Sequence, residues 1–323
     1  MSTLKIFITG ASGCIGHYVA EALIGQTDHE LYLLVRNPAK LQIDWQTRPG
    51  VHILEGNLHD LGPWESVLQT IDVAILIATA WGDPQETYAI NVTQTVALVQ
   101  HLATGVCQHI LYFSTESILD QNNQLLPEAG KLGTDYIRTK YLCFKELEDL
   151  KITPKITALF PTLVFGGDGS KPYSHITAGL PDILQWLWLI RFFQADASFH
   201  FIHGQDIAQV VRYLIQHPEA APPSDSRIGK VVLGNAPFSV NRAIAEICHY
   251  RNLRLFFRIP LSVWLADFFI KIFRIQMADW DRFCLHYRHF VHQNPVNPQQ
   301  FGLPAQASSL PELLRTCGIT PGK

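Results

Sequence analysis

Residues 5–9 read KIFIT, a short apolar run rich in β-branched and aromatic side chains, as expected of a strand buried on both faces. Similar runs recur at residues 31–35, 51–55, 73–78, 109–113, 156–159 and 230–234. Between them lie stretches with helical spacing of apolar positions: roughly 17–24, with Gly25 as the expected stop, then 63–68, 84–102 and 136–150. Strands with near-continuous apolar character alternating with helices predict an α/β fold, a doubly wound parallel sheet covered on both faces. Residues 199–206, FHFIHGQD, read as a strand returning into a helix over 207–215, with Asp206 as the expected N-cap. Ser239 is expected to cap a helix running to Tyr250, and residues 309–315 a last helix.

The first strand runs into Gly10, Gly13 and Gly16 and then into a helix. Such a junction aims free N–H groups and the positive end of a helix dipole at one point, and the missing Cβ atoms let a pyrophosphate approach the backbone. The segment Gly10, Ala11, Ser12, Gly13, Cys14, Ile15, Gly16 is therefore expected to cradle a dinucleotide. The second strand ends at Arg36, where nucleotide-binding βαβ units choose between a ribose hydroxyl and a 2′-phosphate. An arginine there predicts NADP(H) over NAD(H).

The charge balance changes little in this picture. With 25 basic and 28 acidic side chains, net charge −3, the chain has no electrostatic footprint for nucleic acid. Its six cysteines show no metal-ligand or CxxC spacing, which predicts reduced thiols, no metal site and a cytoplasmic location. The first strand begins too close to Met1 for a signal peptide to precede it, and the longest apolar run, residues 183–193, is too short to span a bilayer.

Hydroxyl residues Ser114, Thr115 and Ser117 follow the fifth strand, at the sheet edge where ligands bind in open α/β folds. Tyr136 and Lys140, four apart, share one face of the next helix. A nearby ammonium and a cationic nicotinamide would lower the phenol's pKa enough for proton exchange with a substrate oxygen, and a hydroxyl would hold that oxygen. TGxxGxxG, the hydroxyl cluster and YxxxK, in this order, resemble the short-chain dehydrogenase/reductase superfamily, and the chain length resembles its extended branch, which includes the NAD-dependent epimerases and dehydratases.

That resemblance implies Tyr136 as general acid/base, Lys140 as ligand of the nicotinamide ribose, and Thr115 at the catalytic hydroxyl position, with Ser114 and Ser117 as alternatives in FSTES. It places Asn57 and Leu58, in a turn similar to GDLxD, beside the adenine, and Ala78, Thr79 and Ala80 along the dinucleotide. Asn91 in NVT is similar to an asparagine that braces the active-site backbone. Pro161, Thr162 and Val164, in FPTLVFG, are similar to a stretch bordering the nicotinamide, with Phe160 and Phe165 replacing the usual Arg and Tyr.

Residues 1–165 and 199–234 are expected to form the NADP-binding domain, and 166–198 with 235–323 a smaller, discontinuous substrate lobe. Two segments of that lobe, ILQWLWLIRFF from Ile183 and SVWLADFFIKIF from Ser262, are aromatic and apolar. They read as core or subunit packing, as a pocket for a nonpolar substrate, or as a face lying on a membrane, the last disfavoured by the lack of a dense basic face. His203 reads either as cavity lining or as hydrogen-bonded scaffold.

The expected function is an NADP(H)-dependent oxidoreductase exchanging hydride between nicotinamide and a ketone or alcohol. The apolar lobe resembles the dihydroflavonol reductase and 3β-hydroxysteroid dehydrogenase groups more than nucleotide-sugar enzymes. Arg242, Arg251, Arg254 and Arg258 keep a nucleotide-sugar epimerase or dehydratase as the second reading. The third, a non-catalytic NADP-binding assembly or redox-sensing factor, is what some relatives of this fold imply, against the retained Tyr136 and Lys140. The expected partner is a small molecule, with a homodimer as the family's common assembly.

Overall fold

A computed structural model describes residues 3–221, 227–272 and 276–322. Residues 220–226, whose Pro and Ser content (APPSDS) reads as a surface loop, fall largely outside the described residues, as does Phe273 at the end of the second aromatic segment. Seven strands, β1 (Lys5–Thr9), β2 (Glu30–Val35), β3 (Val51–Glu55), β4 (Val73–Leu76), β5 (His109–Phe113), β6 (Lys155–Pro161) and β7 (Ile228–Leu233), form one sheet in the order β7-β6-β5-β4-β1-β2-β3. All pairings are parallel, with Ile8 opposite Leu33 on one side and Ile75 on the other. The chain winds outward in both directions from β1, so the switch between halves falls between β1 and β4, where doubly wound sheets bind their ligands.

The strand alternation explains the two cores. Ile6 and Ile8 point to the face covered by α1 (Cys14–Gln26) and α4 (Gly204–Gln216), where Val19, Leu23, Val211 and Leu214 meet them. Phe7 points to the opposite face, among Leu98, Leu102, Phe144 and Leu147 of the 84–103 helical segment and α2 (Asp135–Asp149). Strands buried on both sides need apolar residues at every position, and this is why the runs show no period of two.

Three expectations change. Gly25 lies inside α1, which ends at Gln26 with Thr27 as its cap, because helical backbone suits Gly25 and no left-handed turn is made there. Residues 84–103 are not one regular helix: the α-helical ends Pro84–Tyr88 and Thr95–Ala103 flank a π-helical turn, Ala89–Gln94, that carries buried Asn91. Asp206 is not the N-cap of α4. His203 fills that position, its Nδ1 accepting from Gln205 N at 3.2 Å, because Gly204 lets the helix begin earlier against the Tyr18 ring. Asp206 is instead fully buried and accepts from Gln306 N at 2.6 Å, tying α4 to the C-terminal segment.

Beyond β6 the chain builds α3 (His175–Gln185), a short turn of helix Leu187–Ile190, α5 (Val240–Tyr250) and α6 (Val263–Ile272). Ser239 caps α5, as its sequence predicts, accepting from Arg242 N. A small sheet of Ser198–Phe199 between Phe238–Ser239 and His289–Phe290 joins these elements.

Candidate functional site

The loop after β1 departs from what any side chain larger than hydrogen allows. Gly10 has φ +76°, and a Cβ there would lie 2.6 Å from Ala78 N. A Cβ on Gly16 would strike the Gly10 carbonyl, so α1 packs directly on the turn. Gly13, by contrast, is exposed, would bring a Cβ only into ordinary contact with Gly10 O at 3.5 Å, and is the N-cap of α1 with no side-chain cap. Its neighbours Ser12, Cys14 and Ile15 are part-exposed, so the first-turn N–H groups of the helix point outward from a cradle that only glycine could leave open. These residues fit a dinucleotide diphosphate. Burial pushes the Cys14 thiol up to about 12, so it stays protonated and inert there.

His17, buried one turn into α1, ties the cradle to the segment after β2. Its Nδ1–H donates to Gly13 O at 2.9 Å, and its Nε2 accepts from Gln42 N at 3.0 Å. Sequence reading passed over this residue, since a histidine in a helix carries no signal of its partners.

The remaining expected cofactor positions all follow carboxyl ends of strands on this edge. Arg36 leaves β2 exposed. After β3, Asn57 is also exposed, its Oδ1 accepting from His59 N at 2.8 Å, and Leu58 turns into the core. After β4, Ala78 N donates to Thr9 Oγ1, while Thr79 Oγ1 and Ala80 N donate to Asn91 Oδ1 at 2.9 and 2.8 Å. Asn91 Nδ2 donates in turn to Ala80 O and to Thr139 Oγ1 on α2, so its amide clamps the loop after β4 to the helix bearing Tyr136. After β6, Pro161 pairs with Leu233, Thr162 Oγ1 donates to Leu233 O at 2.8 Å, and Val164 pairs with Ile202.

Tyr136 and Lys140 lie on α2, which Thr134 caps by accepting from Ile137 N. Lys140 is buried, and its Nζ donates to the Phe113 carbonyl at the end of β5 at 2.8 Å. Burial lowers its pKa to about 8, and the ammonium lies 5.3 Å from the Tyr112 ring centre and 6.0 Å from that of Tyr136. Burial holds the Tyr136 phenol above the ordinary tyrosine value, the Thr115 hydroxyl beside it works in the opposite sense, and the Glu116 charge adds to the rise. Thr115 thus stands at the phenol. Ser117 stands behind it as a hydrogen-bond partner of Thr115 Oγ1 at 3.4 Å, and Ser114 is buried.

Two features of the site were not read from the sequence. Trp81, in the loop after β4, stacks flat on Tyr136, with ring centres 3.7 Å apart and planes 10° from parallel, and also meets His175 at the start of α3. A tryptophan beside Gly82, whose φ is +101°, next to a strand's carboxyl end, was the available signal. The second is a buried chain of imidazoles. His292 Nδ1–H donates to Asp120 O at 3.0 Å, and its Nε2 meets Glu116 Oε2 at 2.9 Å. The carbonyl can only accept, so a proton also lies between Nε2 and the carboxylate. His200 Nε2 accepts from His292 N, and its own Nδ1–H donates to Asn235 O. Glu116 and His292 are 176 residues apart, beyond any local pattern.

A cavity of about 480 Å³ is lined by Glu116 and Ser117, which follow Thr115 in the chain, and by Leu163, Phe199, Val263 and Trp280. Its walls are mainly apolar, and its one arginine, Arg288, is already paired with Asp196 at 3.3 Å. His203 does not line it. That ring is buried edge-on against Tyr18 at 5.2 Å, the scaffold role, and burial lowers its pKa to about 4. Among the described residues no group of His, Cys, Asp and Glu is arranged to hold a metal.

Comparison with known proteins agrees with this fold. Among curated proteins none matches the chain. The Bordetella bronchiseptica enzyme WbmG, solved in complex with NAD, is 16% identical over 99% of this chain and 96% of its own, with a TM-score of 0.66. A UDP-N-acetylglucosamine 4-epimerase from Methanobrevibacter ruminantium M1, in complex with UDP-N-acetylmuramic acid, is 16% identical over 99% of this chain and 98% of its own, TM-score 0.65. A short-chain dehydrogenase/reductase superfamily protein from Agrobacterium tumefaciens, with bound NAD, is 14% identical over 98% and 96%, TM-score 0.65. The model of the NAD dependent epimerase/dehydratase family matches residues 6–229, from β1 into β7, and the chain belongs to that family of enzymes within the extended short-chain dehydrogenase/reductases.

Proposed function

We propose that this protein is an NADP(H)-dependent oxidoreductase that interconverts a ketone and an alcohol on an apolar substrate. The carrying observation is the convergence of Tyr136, Lys140 and Thr115 at the sheet edge that also carries the glycine cradle, with Glu116 and Ser117, next to Thr115 in the chain, lining a mainly apolar cavity. The dinucleotide, when bound, supplies or accepts the hydride. In the reducing direction the Tyr136 hydroxyl gives its proton to the substrate oxygen, a role suited to a phenol that burial keeps protonated. The Thr115 hydroxyl donates a hydrogen bond to the same oxygen, and the Lys140 ammonium stabilises the phenolate left behind. Gly10, Ser12, Gly13, Cys14, Ile15 and Gly16 hold the diphosphate through backbone N–H groups. Arg36 takes the 2′-phosphate, Asn57 and Leu58 border the adenine, and Ala78 to Ala80 with Pro161, Thr162 and Val164 line the path to the nicotinamide. In this reading residues 166–198 and 235–323 form the substrate lobe, and the protein works in the cytoplasm.

A nucleotide-sugar epimerase is the alternative, supported by the solved epimerase of the same fold. It is weakened by the cavity, whose one arginine is engaged by Asp196 where a diphosphate would need free cations. The test is NADPH consumption with a panel of apolar and aromatic ketones, alongside titration with UDP-sugars. Turnover of a ketone that falls by about a hundredfold or more in Tyr136→Phe, with NADPH affinity kept, is the expected result. Tight UDP-sugar binding without ketone turnover would reverse the order. A cellular role that survives Tyr136→Phe intact would move the protein to the non-catalytic class.

A further inference from the structure

The apolar segments of the second lobe are not all core. Trp186 and Trp188 are 52% and 55% exposed, and Phe257 and Trp264 reach 82% and 72%. These residues belong to one surface. The strand Ile259–Pro260 pairs with Phe193–Gln194, and the Phe192 and Phe256 rings stack at 5.7 Å. Arg191 ties the two segments together by donating to Trp188 O and to Arg254 O. Exposed apolar patches of this extent mark an interaction site.

The charge around the patch selects what covers it. Arg191 lies over the Phe192 and Phe256 rings at 5.1 and 5.3 Å, Arg254 and Arg258 flank Phe256 and Phe257 in the chain, Lys271 is exposed on α6, and among the described residues none of the four makes an ion pair with a carboxylate. Arg258 instead donates to Asn241 O, and of the acidic residues nearby Asp267 lies 3.7 Å from His286. A second copy docked through a two-fold axis would set this cationic rim against itself. Tryptophan and phenylalanine ringed by arginine and lysine suit the boundary between acyl chains and anionic headgroups. No described helix is long and apolar enough to cross a membrane, so the contact would be peripheral.

We propose that this aromatic and basic face of the second lobe docks on an anionic lipid bilayer, and that the substrate enters the cavity from the bilayer. The second half rests on the oxidoreductase reading. Leu261 and Val263, which line the cavity, sit in the chain between Phe257 and Trp264 of the docking face. An apolar ketone or alcohol dissolved in the membrane would therefore reach the cavity at Glu116 and Ser117, next to Thr115 in the chain, without crossing water.

The test is co-sedimentation of the full chain, loaded with NADPH, with vesicles of phosphatidylcholine alone or containing about one third phosphatidylserine. Binding about tenfold or more tighter to the anionic vesicles, weakened by salt and accompanied by quenching of tryptophan fluorescence by brominated acyl chains, is the expected result. Trp188→Ser combined with Phe257→Ser, and separately Arg254→Glu, should each lower that binding about tenfold while NADPH affinity is kept. Failure of the unmodified chain to pellet with either vesicle overturns the proposal. So does a concentration-dependent dimer in sedimentation velocity that the same substitutions dissolve. Because vesicle binding does not need Tyr136, a chain that binds vesicles yet turns over no ketone would refute the enzymatic reading alone. A chain that reduces soluble ketones but ignores vesicles would refute this one alone.

Discussion

At the scale of single residues, the site depends on side chains whose chemistry their neighbours change. Trp81 covers one face of the Tyr136 ring and reaches across to His175, so it joins the loop after β4 to both α2 and α3. A stacked pair of this kind contributes roughly 0.5–1.5 kcal/mol, too little to hold Trp81 against a well-placed ligand. The Trp81→Phe difference in fluorescence should therefore be quenched on adding NADPH, while Trp81→Ala should move the melting temperature by only about 2–4 °C. A Trp81 signal blind to NADPH would remove this residue from the site. Arg36 makes a second case. It is exposed at the end of β2, and among the described residues it has no ion-pair partner, so its charge is available to a 2′-phosphate. NADPH should bind more tightly than NADH by about tenfold or more, a margin that Arg36→Ala largely removes. Equal affinities in the unmodified chain would make the cofactor NAD(H).

At the scale of elements, the strand-turn-helix unit opening the chain is the part least tolerant of change. Gly10→Val would force a β-branched side chain into φ +76° and against Ala78 N at 2.6 Å. Strained backbone of this kind costs about 1–3 kcal/mol, and the clash adds to it. Loss of NADPH affinity should exceed the loss of stability, and unchanged affinity by calorimetry would show that the turn is not the cradle. This element was legible in advance because glycine spacing and strand periodicity are local, and so was α2 with Tyr136 facing Lys140. Asn91 was legible through the NVT resemblance as a bracing amide, but not the partners it would hold. Its clamp from Ala80 to Thr139 exists because the helix loosens into a π turn, which no periodicity announces. The Glu116–His292 pair and the seat of Asp206 at Gln306 were invisible for a different reason: both join distant segments whose meeting depends on the finished fold. The aromatic segments show the limit most plainly, since hydropathy cannot tell Leu187, which is buried, from Trp188 next to it, which is exposed.

At the scale of the whole molecule, burial of ionisable side chains sets the response to acid. His109 and His203 are both buried, and burial depresses each from 6.5 to about 4. Their unfolded forms take up protons as pH falls below 6.5, whereas the folded forms refuse them until about 4. Each therefore contributes stability above 6.5 that is lost across this window, about 3 kcal/mol apiece. His17, His29 and His200 are lowered by burial in the same sense. Asp206 opposes them. Burial raises it from 3.8 to about 6, so the folded state binds its proton first and gains about 3 kcal/mol as pH falls through that interval. The histidines outweigh the single carboxyl, and urea unfolding should show a net fall of at least about 3 kcal/mol between neutral pH and the folded histidine range. Asp206→Asn keeps an oxygen for Gln306 N but removes the compensating proton uptake, so its stability should fall more steeply over the same window. A slope unchanged or shallower in that variant would mean that Asp206 is already ionised in the fold, paired through Gln306 and the helix end well enough to cancel the effect of its burial.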